Sequence, residues 1–276
     1  MDKKKKVVTG KAAKLLSYLE GSGKEIFVYN DVAKFLQESS QPRVSGFLQE
    51  LIERELVMRL KGGLYAVIPY NIPANQFFPN WHVVAKHLVG NDNYYIGYYS
   101  ALSIYELTTQ PGLTEQVVVK DRIKPSSKTI GKVSFQFIHK SNPKRFFGFK
   151  DKLVDKYYRV NCSDLEMTFI DCLERPELCG GIVEVCKAMS LVREKLDYNK
   201  LLSCAIQYDR QVVFKRLGFL LELLEIETPI IEGLLKLRSA SYALLDTSLP
   251  KEGKMQSRWR IQANEDADSI IQQLYT

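Results

Sequence analysis

The chain has 276 residues, of which 45% are hydrophobic and 26% are charged, and this composition excludes a disordered, collagen-like or disulfide-rich protein. No run of about 18 uncharged apolar residues occurs, and no apolar segment follows the lysine-rich start, so we expect neither a membrane-spanning helix nor a signal peptide. Five cysteines at irregular spacing, without a CxxC pair, indicate buried thiols in a reducing cytoplasm rather than a zinc site or disulfides.

The net charge of +7 comes from two separate basic segments. Residues 1–70 carry twelve Lys and Arg against eight Asp and Glu, and residues 120–160 carry twelve against three. The rest of the chain is net acidic. Basic segments indicate an anionic partner, and here two distinct regions of the protein are candidates to contact one.

The first seventy residues have the pattern of three short helices followed by a hairpin. Apolar residues recur at helical spacing in segments 10–20, 31–38 and 42–55. A Lys-Gly-Gly turn at 61–63 then joins two short apolar strands. This order predicts a winged helix-turn-helix, whose recognition helix enters the major groove of DNA. The alternative is a winged helix that makes only protein contacts.

One face of the third predicted helix is polar. Arg43, Ser45 and Gln49 can donate hydrogen bonds to base edges or phosphates. Basic residues on the hairpin and in the tail at 3–6 would add contacts to the DNA backbone that do not depend on sequence. The candidate DNA-binding residues are Lys11, Ser40, Gln41, Arg43, Ser45, Gln49, Arg59 and Lys61.

Beyond residue 70 the sequence predicts a linker and connecting helix at 71–89, and then a larger domain at 90–276 that could divide near 160–195. Its predicted strands are 116–120, 132–139, 146–149, 157–160 and 257–261. Its predicted helices begin at Ser100 (ending before 111) and span 165–172, 181–194, 198–207, 211–224 and 230–237. The fold class is therefore α+β: an N-terminal winged helix-turn-helix followed by a mixed α/β domain that is mainly helical toward its C-terminus.

The second basic segment could form one surface, because alternate side chains of a strand share a face. Such a patch could bind nucleic acid, either extending the contact with an operator or covering an RNA or nucleotide substrate. The alternative is scattered lysines in solvent. The candidate residues are Lys120, Arg122, Lys124, Lys128, Lys132, Lys140, Lys144 and Arg145.

We find no constellation that predicts catalysis, a metal or a cofactor. His82 and His87 are five residues apart, which excludes the HExxH pattern of zinc proteases. The segment at 21–24 lacks the first glycine and the Ser or Thr of a phosphate-binding loop. Glu166 and Asp171 are interpreted as a helix start and a solvated face. We therefore expect the chain not to be an enzyme.

Several short blocks, in this order along the chain, make the sequence similar to the AbiEi antitoxin family. They lie at 63–66, 98–102, 166–173, 215–222 and 259. The family usually has Glu-Arg-Thr where this chain has Glu166-Met167-Thr168, so Met167 departs from the pattern. The residues that match the family's motifs are Tyr98, Tyr99, Ser100, Leu102, Glu166, Thr168, Asp171, Arg216 and Gly218.

The resemblance implies a cytoplasmic repressor that binds double-stranded operator DNA of its own operon through the winged helix. It also implies that the C-terminal region counteracts a nucleotidyltransferase-like AbiEii toxin, without a stable complex. Two alternatives remain open: a winged-helix regulator whose larger domain senses a ligand or partner, with no toxin, and a nucleic-acid-processing enzyme such as a nuclease. A neighbouring gene for a nucleotidyltransferase-like protein would favour the first function over the other two.

Overall fold

The computed structural model describes residues 6–108, 110, 112–155 and 158–274. Within them the chain forms eleven α-helices, two short 3-10 helices and three sheets. The α+β class predicted from the sequence is therefore confirmed. Residues 3–5 of the basic tail, the predicted helix position 109 and position 157 of a predicted strand lie outside the described residues.

The N-terminal unit consists of three helices and a three-stranded antiparallel sheet around its own core. The central strand of this sheet, β3, pairs with β1 on one side and β2 on the other. Phe27 and Tyr65 stack in this core, beneath the apolar faces of the three helices. The elements are α1 (Gly10–Gly21), β1 (Ile26–Val28), α2 (Tyr29–Leu36), α3 (Gln41–Glu53), β2 (Val57–Lys61) and β3 (Leu64–Val67).

A six-stranded mixed sheet forms the middle of the molecule, in the order β6-β7-β5-β4-β9-β8. One of its faces is covered by α4 (Trp81–Val89) and by the N-terminal unit, because Ile26, Leu60 and Leu64 belong to the same apolar core as the inner strands. The N-terminal unit is therefore packed against the sheet. The strands are β4 (Tyr94–Ile96), β5 (Thr114–Val119), β6 (Ser127–Ile130), β7 (Val133–His139), β8 (Phe149–Leu153) and β9 (Arg159–Ser163).

Helices cover the opposite face of the sheet and continue into a helical region with a small three-stranded sheet at its far end. Two of these helices are enclosed, since every residue from 166 to 173 of α6 and from 213 to 221 of α9 is buried. These elements are α5 (Tyr98–Ile104), α6 (Leu165–Glu174), α7 (Ile182–Val192), α8 (Tyr198–Tyr208), α9 (Gln211–Leu223), α10 (Ile230–Leu237), β10 (Ala243–Leu244), β11 (Lys254–Gln256), β12 (Ile261–Ala263) and α11 (Ala267–Gln273).

The predictions of two strands were wrong. The segment 146–149 is mostly loop, because Gly148 has a φ of +68° and Phe146 turns inward to pack on the Tyr95 ring. The segment 257–261 is mostly a turn between β11 and β12, in which the Trp259 amide donates to the Gln256 side chain. A short run with aromatic residues predicts a strand, but the same pattern also occurs in loops and turns whose aromatic side chains fill a core.

Gly218 of α9 provides a test of how tightly this helical region is packed. A Cβ at this position would overlap the indole ring of Trp259, which is fully buried. We expect Gly218→Ala to lower the free energy of unfolding by about 1–3 kcal/mol in urea denaturation, because overpacking outweighs the better helix propensity of alanine. Gly46→Ala in α3 is the matched control, since an added Cβ there contacts nothing, and it should be neutral or stabilising. Equal effects of the two changes would contradict the close packing of Gly218 on Trp259.

Candidate functional site

Helix α3 presents a polar face to solvent at the surface of the N-terminal unit. Its opposite face is buried in the core of that unit. The helix has a proline in its first turn, which costs no hydrogen bond there because the first amides of a helix have no partner within it. The exposed residues of the outer face are Gln41, Pro42, Arg43, Ser45, Gly46 and Gln49.

Exposed ion pairs and hydrogen bonds hold the side chains of this face. The Arg43 side chain is 78% exposed, and its Nη1 lies 3.1 Å from Oε2 of Glu38. The Glu38 carboxylate also accepts a hydrogen bond from the Ser40 amide at 2.9 Å, and this bond, with Arg43, lowers the Glu38 pKa. Gln49 donates to Glu53 one turn later. Ion pairs this exposed contribute little to stability, so Arg43 can exchange its partner for a phosphate or a base edge at small cost.

Other candidates lie around the same face. The Lys11 ammonium lies 5.2 Å from the centre of the Phe47 ring. Lys11 and Arg43 line one shallow cleft of about 370 Å³ at the α1 side of α3. Arg59 is exposed on β2. The structure thus places three of the predicted basic residues in solvent on the N-terminal unit.

Lys61 has contacts that the sequence did not predict. Its ammonium donates to the backbone carbonyls of His87 at 3.2 Å and Leu88 at 3.5 Å, in the last turn of α4. A cation at this position satisfies carbonyls that have no partner in the helix and interacts favourably with the helix dipole. Burial, together with repulsion from Lys128, lowers the Lys61 pKa. Lys61 therefore links the N-terminal unit to the helix that packs on the central sheet.

The second basic segment divides into separate groups. Arg122 and Lys124 line one cleft. Lys128 lies near Lys61, as their mutual repulsion shows. Arg145 donates to the carbonyls of residues 208 and 209 at the end of α8. The remaining candidates, Lys120, Lys132 and Lys144, are exposed.

Lys140 belongs to none of these surface groups, because its side chain is only 6% exposed. Its ammonium donates to the Tyr98 hydroxyl at 2.9 Å, to Oδ1 of Asp171 at 2.9 Å and to Oε2 of Glu174 at 3.1 Å. It also contacts the Tyr208 hydroxyl. The prediction that Lys140 contributes to a surface patch was wrong, since it is the cation of a buried polar centre.

The centre is closed by further partners. The Tyr95 hydroxyl donates to Oδ2 of Asp171 at 3.0 Å, and Arg210 pairs with Oε1 of Glu174 at 3.2 Å. Two cations thus neutralise two carboxylates. The interpretation of Asp171 as part of a solvated face was wrong, because this carboxylate is fully buried between the sheet and the helices. Glu166 is also buried and pairs with Lys200 at 2.7 Å.

The electrostatics of the centre depend on its lysine. Burial raises the Asp171 pKa, and Lys140 opposes that effect. Burial alone would also raise the Glu174 pKa, but Lys140, the Tyr208 hydroxyl and Arg210 bring it below its usual value. Burial raises the pKa of Tyr95 far above the ordinary value, so its phenol stays a hydrogen-bond donor. We infer that these groups hold elements of the fold together.

The other residues that resemble AbiEi motifs also lie in the interior, except for the half-buried Tyr99. Ser100 bonds the Gln116 side chain at 2.9 Å, and Thr168 bonds the Asp164 carbonyl at 2.7 Å. Arg216 is buried and donates to the carbonyls of residues 173, 174 and 244. Burial lowers the Arg216 pKa to about 10. Tyr99 bonds the carbonyl of residue 110, Leu102 lies in the core, and Gly218 contacts Trp259.

Met167 stands where the family usually has a basic residue, and the structure gives a physical reason for its apolar character. The side chain is fully buried. It lies against Gly148, whose added Cβ would come within 2.8 Å of the Met167 Cβ. A guanidinium at this position would need a partner in an apolar core.

Comparisons with known proteins identify a fold. No protein-family model and no curated protein matches the chain. The fold is similar to the crystal structure of the RV2827C protein from Mycobacterium tuberculosis, with a TM-score of 0.72 and 12% sequence identity. This similarity covers 98% of the present chain and 96% of the other. At such low identity it shows the fold alone.

None of the helices in the described residues is long and apolar enough to cross a membrane. Among the same residues, no group of three or more His, Cys, Asp or Glu is arranged to hold a metal ion.

The buried centre predicts a pH-dependent cost of removing its lysine. Lys140→Met keeps the length of the side chain but leaves Asp171 without its cation, and we expect a loss of about 3–5 kcal/mol in the free energy of unfolding. The Asp171 pKa in the folded variant then rises further above the unfolded value of about 3.9. A raised folded pKa means that stability falls as pH rises through it, so the loss should be larger at about pH 8 than at about pH 5.

Urea denaturation of the wild type and of Lys140→Met at the two pH values measures the difference in the free energy of unfolding. Lys144→Met removes the same charge from an exposed neighbour and should change stability by less than about 0.5 kcal/mol. A loss that is the same at both pH values would contradict an unpaired buried carboxylate.

Proposed function

We propose that this chain is a cytoplasmic DNA-binding autorepressor that also acts as an antitoxin of the AbiEi type. Its N-terminal unit would be the winged helix-turn-helix and its larger domain the antitoxin region. The observation that carries the DNA-binding part is the outer face of α3, where Arg43, Ser45 and Gln49 stand exposed while the inner face is fully packed.

The arrangement of the N-terminal unit supports this proposal. Helices α2 and α3 are joined by the short segment 37–40, which begins with Gln37 at a φ of +50°. In a helix-turn-helix the second helix lies in the major groove, and here that helix is α3. The β2–β3 hairpin follows at once and would be the wing. Gly46, between the polar side chains, lets the helix backbone approach the DNA closely.

Arg43 is the residue that tests base recognition. We expect Arg43→Ala to weaken binding to inverted repeats upstream of the gene by about 1–3 kcal/mol, because an arginine can donate two hydrogen bonds to one guanine. Glu38→Gln is the matched control, since it removes only the carboxylate that now holds Arg43. That variant should bind as well as the wild type or better. Fluorescence anisotropy with operator and scrambled duplexes measures both.

Arg59 should behave differently, because a wing residue contacts phosphates. Arg59→Ala is expected to weaken binding to the two duplexes alike and to reduce the slope of log affinity against log salt by about one. If Arg43→Ala bound both duplexes with wild-type affinity, α3 would not be the recognition helix.

The antitoxin part of the proposal rests on the resemblance in sequence. That resemblance implies a nucleotidyltransferase-like toxin as the functional partner, without a stable complex between the two proteins. The architecture allows the two roles to be separated, because Arg43 and Gln49 lie on the solvent face of α3 and bond only to acidic residues of the N-terminal unit. Deleting residues 1–70 is a poorer test, since it would uncover the apolar surface that Ile26, Leu60 and Leu64 share with the central sheet. The proposal gives the chain no catalytic role and no cofactor.

We therefore expect the double variant Arg43→Ala/Gln49→Ala to lose repression of a reporter under its own promoter while still rescuing growth of cells that express the neighbouring toxin. Repression and colony counts are read in the same strain. Loss of both functions by a variant that melts at the wild-type temperature would show that rescue acts through DNA binding. Normal repression without any rescue in the wild type would favour the regulator without a toxin.

A further inference from the structure

The structure contains a basic cleft that the proposed function does not use. It has a volume of about 480 Å³ and lies between the segment 122–127, strand β7 and the residue that follows α6. Arg122, Lys124, His139 and Arg175 line it, and none of its lining residues is acidic. Ser127 and Gln136 add polar groups to its wall.

Its cations are available for a ligand. Within the described residues, neither Arg122 nor Lys124 has an ion-pair partner. Arg175 uses its Nε to bond Oε1 of Glu177 at 2.8 Å, and its two Nη groups have no hydrogen-bond partner in the part of the chain that the structure describes. Three permanent positive charges that face one cavity raise its potential and attract an anion.

The wall of the cleft draws on both faces of the sheet. Ser127 and Gln136 are cross-strand partners, so their side chains share one face of the sheet, the face on which α6 packs. Phe137, which also lines the cleft, belongs to the core on the opposite face, as does Phe135, the cross-strand partner of Lys128. The alternation of side chains along β6 thus places Ser127 and Lys128 on opposite faces of the sheet.

We propose that the cleft binds the phosphate chain of a nucleotide. Its volume is in the range of about 300–1,000 Å³ that small-molecule sites occupy. Arginine and lysine are the usual partners of phosphate oxygens, and hydroxyl and amide groups add directional hydrogen bonds. The one phenylalanine of the lining, Phe137, is buried and offers no free ring on which a base could stack, so recognition runs through the phosphates. This inference does not depend on the antitoxin role.

Isothermal titration calorimetry of the full chain with ATP and with sodium tripolyphosphate tests the proposal. Both probes should bind at one site, and each should displace the other. Arg122→Glu/Lys124→Glu should weaken both by at least about ten-fold, since each removes a charge-assisted hydrogen bond. Lys128→Glu/Lys144→Glu makes the same change in net charge outside the cleft and should bind both probes within about two-fold of the wild type at moderate salt.

Two results would overturn the proposal. One is the absence of saturable binding of tripolyphosphate, and the other is an equal loss of affinity in the two double variants. If the glutamate variant melts early, Arg122→Ala/Lys124→Ala replaces it with the same expected loss.

Discussion

The buried ammonium of Lys140 is the interaction on which the arrangement of the larger domain depends. An isolated charge in a protein interior is unstable, so each neighbouring element must supply a partner. Strand β7 ends at this lysine, α6 brings Asp171 and Glu174, and α5 and α8 bring tyrosine hydroxyls. The requirement to satisfy one cation therefore fixes the position of three helices against the sheet. The same requirement sets the place of Arg175, which directly follows Glu174 and faces the basic cleft.

A second constraint joins the N-terminal unit to this domain. All three strands of the unit bury apolar side chains in the core of the central sheet, and Lys61 binds carbonyls in the last turn of α4. The Tyr158 hydroxyl adds two bonds, accepting from the Glu25 amide at 2.7 Å and donating to the Gly23 carbonyl at 2.9 Å. Helix α3 consequently has a defined direction relative to the sheet. In a dimer on DNA, the spacing of two such helices would be set by contacts of the whole chain.

Local signals explain why parts of the fold could be predicted from sequence. Helix α4 lies within the predicted linker and connecting helix at 71–89, where Asn80 caps its start by accepting from the His82 amide and Gly90 ends it at a φ of +78°. The inward and outward faces of α3 follow from helical periodicity in the same way. These elements depend on residues within one or two turns of each other.

The errors have the opposite origin, since they concern residues whose partners are distant in sequence. Lys140 was assigned to a surface because it follows an exposed pattern of lysines, while its carboxylates lie 31 and 34 residues away. The spacing of Asp171 within α6 predicts a solvent-exposed side chain. Spacing along one helix cannot show that the sheet covers one side of α6 and that α8 covers another. The DNA contact predicted for Lys61 stays a prediction, but its place at a hairpin could not show that it binds carbonyls 26 and 27 residues away. The sequence shows whether a residue is positive or negative, but only the tertiary structure shows which residue it pairs with.

The division of the second basic segment follows from the geometry of strands. Its total charge suggested one surface, but a strand directs successive side chains to opposite faces, and the N-terminal unit covers only one of them. Lys128 thus lies on the side of the N-terminal unit, and Arg122 and Lys124 line a cleft whose wall includes residues of the other side. A ligand in the cleft would contact α3 only through the sheet and the shared apolar core. Because that core is closely packed, occupancy of the cleft would change the proposed affinity for DNA only if the ligand bound one arrangement of the N-terminal unit better than another.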